Sequence, residues 1–128
     1  MINNKEIQNV SALNAFDRYK YFIKKIADAG EIWILKNDAD ELALSKVEKH
    51  ILLSIWSAKE FTQSCLTGEW ENYKPQNLSL DEFEIKLVPV IIAKEYLIDI
   101  FPVNNKAGFV VGLNEFIKDL NVELEKYE

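Results

Sequence analysis

Glu31-Ile32-Trp33-Ile34-Leu35 and Ile51-Leu52-Leu53-Ser54-Ile55-Trp56-Ser57 are the two stretches on which the fold turns. Each is an aliphatic, strand-like run with a tryptophan set inside it. Gly30 precedes the first run and supplies the positive φ with which helices commonly end. The second passes directly into Ser57-Ala58-Lys59-Glu60, the pattern of a capping box in which serine and glutamate reciprocally satisfy backbone donors. The two runs therefore predict strands joined at once to helices, one ending near Ala29 and one running from Ser57 to about Leu66.

Working outward, Phe16, Tyr19, Ile23 and Ile26 recur at helical spacing, with Leu13, Phe22 and Ala27 widening the stripe and Ser11 as the expected N-cap. Lys24 and Lys25 suit the negative end of that helix dipole. Asn37-Asp38-Ala39-Asp40 is turn chemistry and predicts a hairpin return through Leu42 to Ser45. Residues 46 to 49 are charged and read as a connection, and His50 to Trp56 reads as a central strand, the third of an antiparallel set. Glu69 to Asn77, with Pro75, predicts an ordered loop with a short edge strand, anchored by Trp70 and Tyr73. Ser79-Leu80-Asp81-Glu82 is a second capping box, and Pro89 predicts a kink or two abutting helical pieces. Leu97 to Phe101 and Phe109 to Val111 read as a C-terminal hairpin, followed by a helix capped by Asn114 and packed through Phe116, Ile117, Leu120, Leu124 and Tyr127. The sum is one α+β domain over residues 1–128, an antiparallel sheet of about five strands flanked by three to four helices, with residues 1–10 a loosely ordered extension.

The chain has 128 residues, 48% hydrophobic and 28% charged, an ordinary globular balance for a single domain. No apolar run approaches the roughly 20 residues that span a bilayer, and Met1-Ile2-Asn3-Asn4-Lys5-Glu6 lacks the layout of a signal peptide. The lone Cys65 forms no internal disulfide, which fits a reducing, cytoplasmic location. A net charge of −6 and a single arginine, Arg18, argue against nucleic acid and against an acidic-metabolite site.

Gly30-Glu31-Ile32-Trp33, Ser54-Ile55-Trp56-Ser57-Ala58, Leu78-Ser79-Leu80-Asp81-Glu82-Phe83, Leu87-Val88-Pro89 and the Tyr96-Leu97-Ile98 strand, in this order, resemble the bacterial domain-of-unknown-function family 2750 (DUF2750). The resemblance covers the chain from about residue 13 to 120. The family pattern has a proline where this chain has Ser54 and a glycine where it has Val90. What the resemblance implies is a compact, cytosolic, single-domain α+β protein. It brings no catalytic or ligand-binding residue with it.

Candidate chemistry is sparse. Cys65 and His50 are the only thiol and imidazole and could form an activated nucleophile, but they fall on different elements, and a free cysteine commonly packs as a small hydrophobe. Asp38, Asp40 and Glu41 open like a calcium loop, then place Leu42 and Ala43 where an oxygen ligand and the loop glycine belong, as a solvated turn would. Asp81, Glu82 and Glu84 could serve as acid and base, yet their place in a first helical turn accounts for Asp81 and Glu82 as cap and dipole partners. One cysteine and one histidine do not make a zinc site. Asn9-Val10-Ser11 and Asn77-Leu78-Ser79 match the glycosylation sequon, which is idle without secretion. No catalytic residue, metal or cofactor is expected. Trp70 and Tyr73, with Glu69 and Glu71 beside them, form the expected interaction surface, since aromatics dominate interface energetics; the alternative is that both rings fold back onto the core. The expected function is a non-enzymatic adaptor or immunity-type module for a basic or hydrophobic protein partner. A small-molecule binder or enzyme with a pocket between helices and sheet is the rival, and a homodimer through the Trp-bearing sheet or the last helix is a third reading.

Overall fold

Asn14, and not Ser11, starts the long N-terminal core helix. In the computed structural model, which describes residues 2–127, the Asn14 side chain accepts from the Asp17 amide and opens α2 (Ala15–Ala29). Ser11 instead ends a separate helix, α1 (Asn4–Ser11), whose N-cap is Asn3. The segment expected as a loose extension is thus helical from Asn4 onward, with Ile7 and Val10 packed on the core. Asparagine is among the best N-caps, and two of them divide what one stripe suggested was a single start. Gly30 closes α2 as expected, at φ 73°.

β1 (Glu31–Lys36) follows directly, but its main partner lies far along the chain. It pairs antiparallel with β4 (Lys74–Ser79), from Glu31 opposite Ser79 to Lys36 opposite Lys74. The stretch expected as a loop with a short edge strand therefore carries a six-residue strand, and Pro75 is tolerated because a two-stranded sheet leaves an outer edge with no donor required. β2 (Leu44–Val47) touches β1 only near the Lys36–Leu42 bridge; it turns through Glu48, left-handed at φ 56°, and Lys49 into β3 (His50–Ile55). β5 (Leu97–Ile100) lies parallel to β3, and β6 (Phe109–Val111) completes the order β2-β3-β5-β6. Six strands in a two-stranded and a four-stranded sheet, with one parallel pair, replace the single antiparallel sheet of about five. The parallel pair arises because the chain between β3 and β5 leaves to build β4 and a helix and returns at the starting end, a crossover that hydrophobic periodicity does not encode. Trp33 and Trp56 join the two sheets by reciprocal backbone hydrogen bonds of 2.8 and 2.9 Å.

Ser57 caps nothing. The segment after it is a 3-10 helix, Lys59–Cys65, with no side-chain cap, and the Ser57 hydroxyl is buried without a partner. The second capping box forms fully: Ser79 and Glu82 exchange bonds of 2.9 and 3.0 Å at the start of α3 (Leu80–Glu82). A π turn, Phe83–Leu87, then leads into α4 (Val88–Lys94), where Pro89 occupies the first turn. The expected break at Pro89 is thus a widened turn, which relieves the clash of the ring with the preceding carbonyl. The last helix, α5 (Leu113–Glu125), begins after Gly112 and has no side-chain cap; Asn114 lies inside it. The α-helices number five, against the three to four expected.

The core gathers Phe22 and Ile26 of α2, Phe116 of α5, and the inward residues Leu53, Ile55, Ile98 and Ile100 of the larger sheet. Leu52 is also buried yet stands apart from that cluster. Alternation along β3 sends it to the opposite face. That second face is where the site lies.

Candidate functional site

The register sets Ser45 opposite Leu52 and Ser54 opposite Asp99, which in turn faces Val110, so these side chains share the sheet face turned away from the helices. Over them lies an open hollow of about 450 Å³, with Leu52, Asp99 and Val110 as floor, Cys65 and Trp70 as one wall and Pro102 to Ala107 as the other. Val47 and Val110 stay exposed at its rim.

Asp99 is the charged residue at the bottom. It is only 5% exposed, yet it lines the hollow. Its Oδ1 accepts the Gly108 amide at 2.8 Å, and among the described residues no protein donor meets Oδ2. Burial raises the carboxyl pKa, outweighing the Gly108 bond and the Arg18 charge that pull it down. Gly108 is obligatory here: a Cβ would stand 2.0 Å from the Ile100 carbonyl oxygen and 2.6 Å from Asp99 Oδ1.

Arg18, the only arginine, is buried behind this site and spends its donors on carbonyls. Nε reaches Phe101 at 3.1 Å, Nη2 reaches Ala107 at 2.9 Å, and Nη1 bonds Leu13. The guanidinium therefore ties down the wall at Phe101 and Ala107 and leaves Asp99 without an ion pair among the described residues. Burial lowers the Arg18 pKa, partly offset by Asp99. The wall is strained as well as tied. Phe101, Asn104 and Asn105 all have left-handed backbones, and Phe101 is fully buried at φ 66°. Asparagine tolerates that conformation; phenylalanine does so at a cost of order 1–3 kcal/mol. The Trp56 indole and the Cys65 thiol both donate to the Pro102 carbonyl, at 2.8 and 3.2 Å, and Ser64 accepts the Asn104 amide at 3.0 Å.

With this geometry in view, comparison with known proteins identifies the family. The model described as "Protein of unknown function (DUF2750)" matches residues 19–120. The chain belongs to the DUF2750 family. The matched span holds both sheet-joining tryptophans, Asp99 and Gly108, and begins one residue after Arg18. Among curated proteins nothing matches.

In this DUF2750 chain the four residues expected to form one surface are divided. Trp70 is half-buried, its ring edge-on to Trp56 at 6.3 Å and 84°, and it walls the Asp99 hollow. Glu71 and Tyr73 turn to a second, polar hollow of about 530 Å³ shared with Asn37, Asp38 and Ala39, while Glu69 is exposed. His50 is exposed at the head of β3 and no hydrogen bond joins it to Cys65. Burial raises the Cys65 thiol pKa, which keeps it from the thiolate form that reacts. Asn37 bonds the Ala39 and Glu41 amides and Lys36 pairs with Asp40 at 3.0 Å, so the Asp38–Glu41 stretch is a closed turn. Glu82 serves the cap and pairs with Lys86. Among the described residues no three His, Cys, Asp or Glu side chains stand together as a metal site, and no helix is long and apolar enough to cross a membrane. Asp99, Arg18 and Gly108 escaped the reading of the sequence. The available signal was one charge inside the apolar run Leu97-Ile98-Asp99-Ile100-Phe101.

Proposed function

We propose that the protein is a non-enzymatic interaction module that docks a basic or hydrophobic protein partner over the Asp99 hollow and the adjoining Glu69 to Tyr73 ridge. The observation that carries this reading is Asp99 itself, a carboxylate that is buried, lacks a counter-ion, and faces an apolar hollow of about 450 Å³. Such a group costs stability unless something compensates it, and a site of this volume with one oriented polar group has the make-up of a binding pocket. The strained wall supports the same reading, since backbone strain persists where surrounding structure is organised for function. A protonated thiol beside a lone carboxyl supplies neither an activated nucleophile nor an acid and base pair, which favours binding over catalysis. An acidic chain of net charge −6 steers basic partners toward itself.

The test is site-specific photo-crosslinking in cells of the source organism. A photoreactive residue at Val110, on the rim, is expected to capture a discrete protein, with capture lost when Trp70→Ala and Val47→Ala are added. The same residue at Ile85, exposed on the π turn, should capture none. Equal labelling from both positions, or none from Val110, would show that the hollow is not a docking surface.

A further inference from the structure

Asp99 offers its ligand one oxygen, not two. Oδ1 is held by the Gly108 amide, and Oδ2 alone is left without a protein donor. The hollow above is mostly hydrocarbon: Leu52, Val47, Val110, Pro102 and the face of Trp70. Arg18 is fixed on the carbonyls of Leu13, Phe101 and Ala107, so no internal guanidinium is free to neutralise the carboxylate. We infer that the hollow seats the side chain of a lysine presented by the partner, the four-carbon stem lying against Trp70 and Val110 and the ammonium donating to Asp99 Oδ2. This rests on the docking reading above and names what enters the site.

Lysine fits better than arginine for a geometric reason. A guanidinium binds carboxylate best through two parallel bonds to both oxygens, and one of these is occupied. An ammonium is a point charge that a single oxygen satisfies, while its apolar stem packs along hydrocarbon. Three charged or titratable groups border the carboxylate: Arg18 behind it, Cys65 on the wall and Lys106 on the rim. Lys106 has no ion pair among the described residues, and its charge opposes an entering ammonium or competes for Asp99.

The experiment is a two-dimensional amide NMR titration of the 15N-labelled full chain with Nα-acetyl-lysine-methylamide. Three controls carry it: the same compound acetylated at Nε, the arginine analogue, and the lysine compound with Asp99→Asn protein. The Gly108 amide and the Trp70 indole are the expected reporters, shifting together with millimolar midpoints. Neutralising the Nε should weaken binding at least tenfold, the arginine analogue should bind severalfold less tightly, and Lys106→Ala should tighten binding. The spectrum itself shows whether Asp99→Asn is folded. Should it not be, Val110→Arg, at an exposed position, fills the hollow and must abolish the shifts. Equal binding of the Nε-acetylated compound, tighter binding of arginine, or no shift at Gly108 overturns the lysine assignment. If Val110 crosslinks a partner while the lysine compound does not bind, the docking surface stands and only its occupant is wrong.

Discussion

Replacing Arg18 by lysine keeps the charge and still damages the protein, because the role of this side chain is geometric. Three carbonyls, at Leu13, Phe101 and Ala107, converge on a guanidinium whose fork reaches them in different directions. An ammonium on a shorter stem leaves at least one of them buried without a donor, at about 1–3 kcal/mol per orphaned group. Arg18→Lys is therefore expected to lower unfolding free energy by about 3 kcal/mol, read from urea melts followed by tryptophan fluorescence; a loss within error of zero would show that the loop does not depend on Arg18. Asp99 gives the opposite kind of prediction. Its folded-state pKa is raised, mainly by burial, so the folded chain holds a proton that the unfolded chain releases at the ordinary value near 3.9. The folded state then binds more protons, and stability falls as pH rises from about 3.9 through the raised folded value. Urea midpoints should decline across that window, and Asp99→Asn should flatten the decline. A lysine-bearing ligand should reverse it, because binding needs the ionised carboxylate.

At the scale of elements, capping decides more than periodicity does. Ser79 and Glu82 satisfy each other's backbone donors and start α3 in the predicted place. Ser79→Ala should cost about 1 kcal/mol, seen as a lower thermal midpoint by circular dichroism, whereas Ser57→Ala should cost nothing or stabilise slightly, its hydroxyl being buried without a partner. The two serines look alike in sequence, each followed three residues later by glutamate. They differ because Ser79 leaves β4 with its backbone free to enter a helix, while Ser57 follows Trp56, whose backbone is bonded to Trp33 and whose indole is bonded to Pro102. Strand and helix runs were legible wherever an apolar pattern met a clear stop, as at Gly30 and Pro89. β4 was not, because Lys74-Pro75-Gln76-Asn77 has almost no apolar residue and is a strand only through its pairing with β1.

For the whole molecule, the tryptophans mark the joint between two sheets. Trp56 is fully buried, and besides its backbone exchange with Trp33 it holds the Pro102 carbonyl that Cys65 also meets. Trp56→Phe removes the indole donor and some volume at once, and about 2 kcal/mol of destabilisation is expected, with amide exchange speeding up first in residues 101–108. A uniform rise in exchange instead would mean that the joint and the wall of the hollow do not act as one unit. The α+β class, the single domain, the membership in DUF2750 and the main helices and strands were all determined by the sequence alone, since they depend on local pattern, caps and turns that act over a few residues. Only the tertiary structure decided that β3 and β5 run parallel, that β1 pairs with β4, and that Asp99 lies without a counter-ion beneath an apolar hollow, backed by Arg18 and Gly108. Those features join residues distant along the chain, and no short-range rule of spacing specifies which strands meet, in which direction, or what their outer face then exposes.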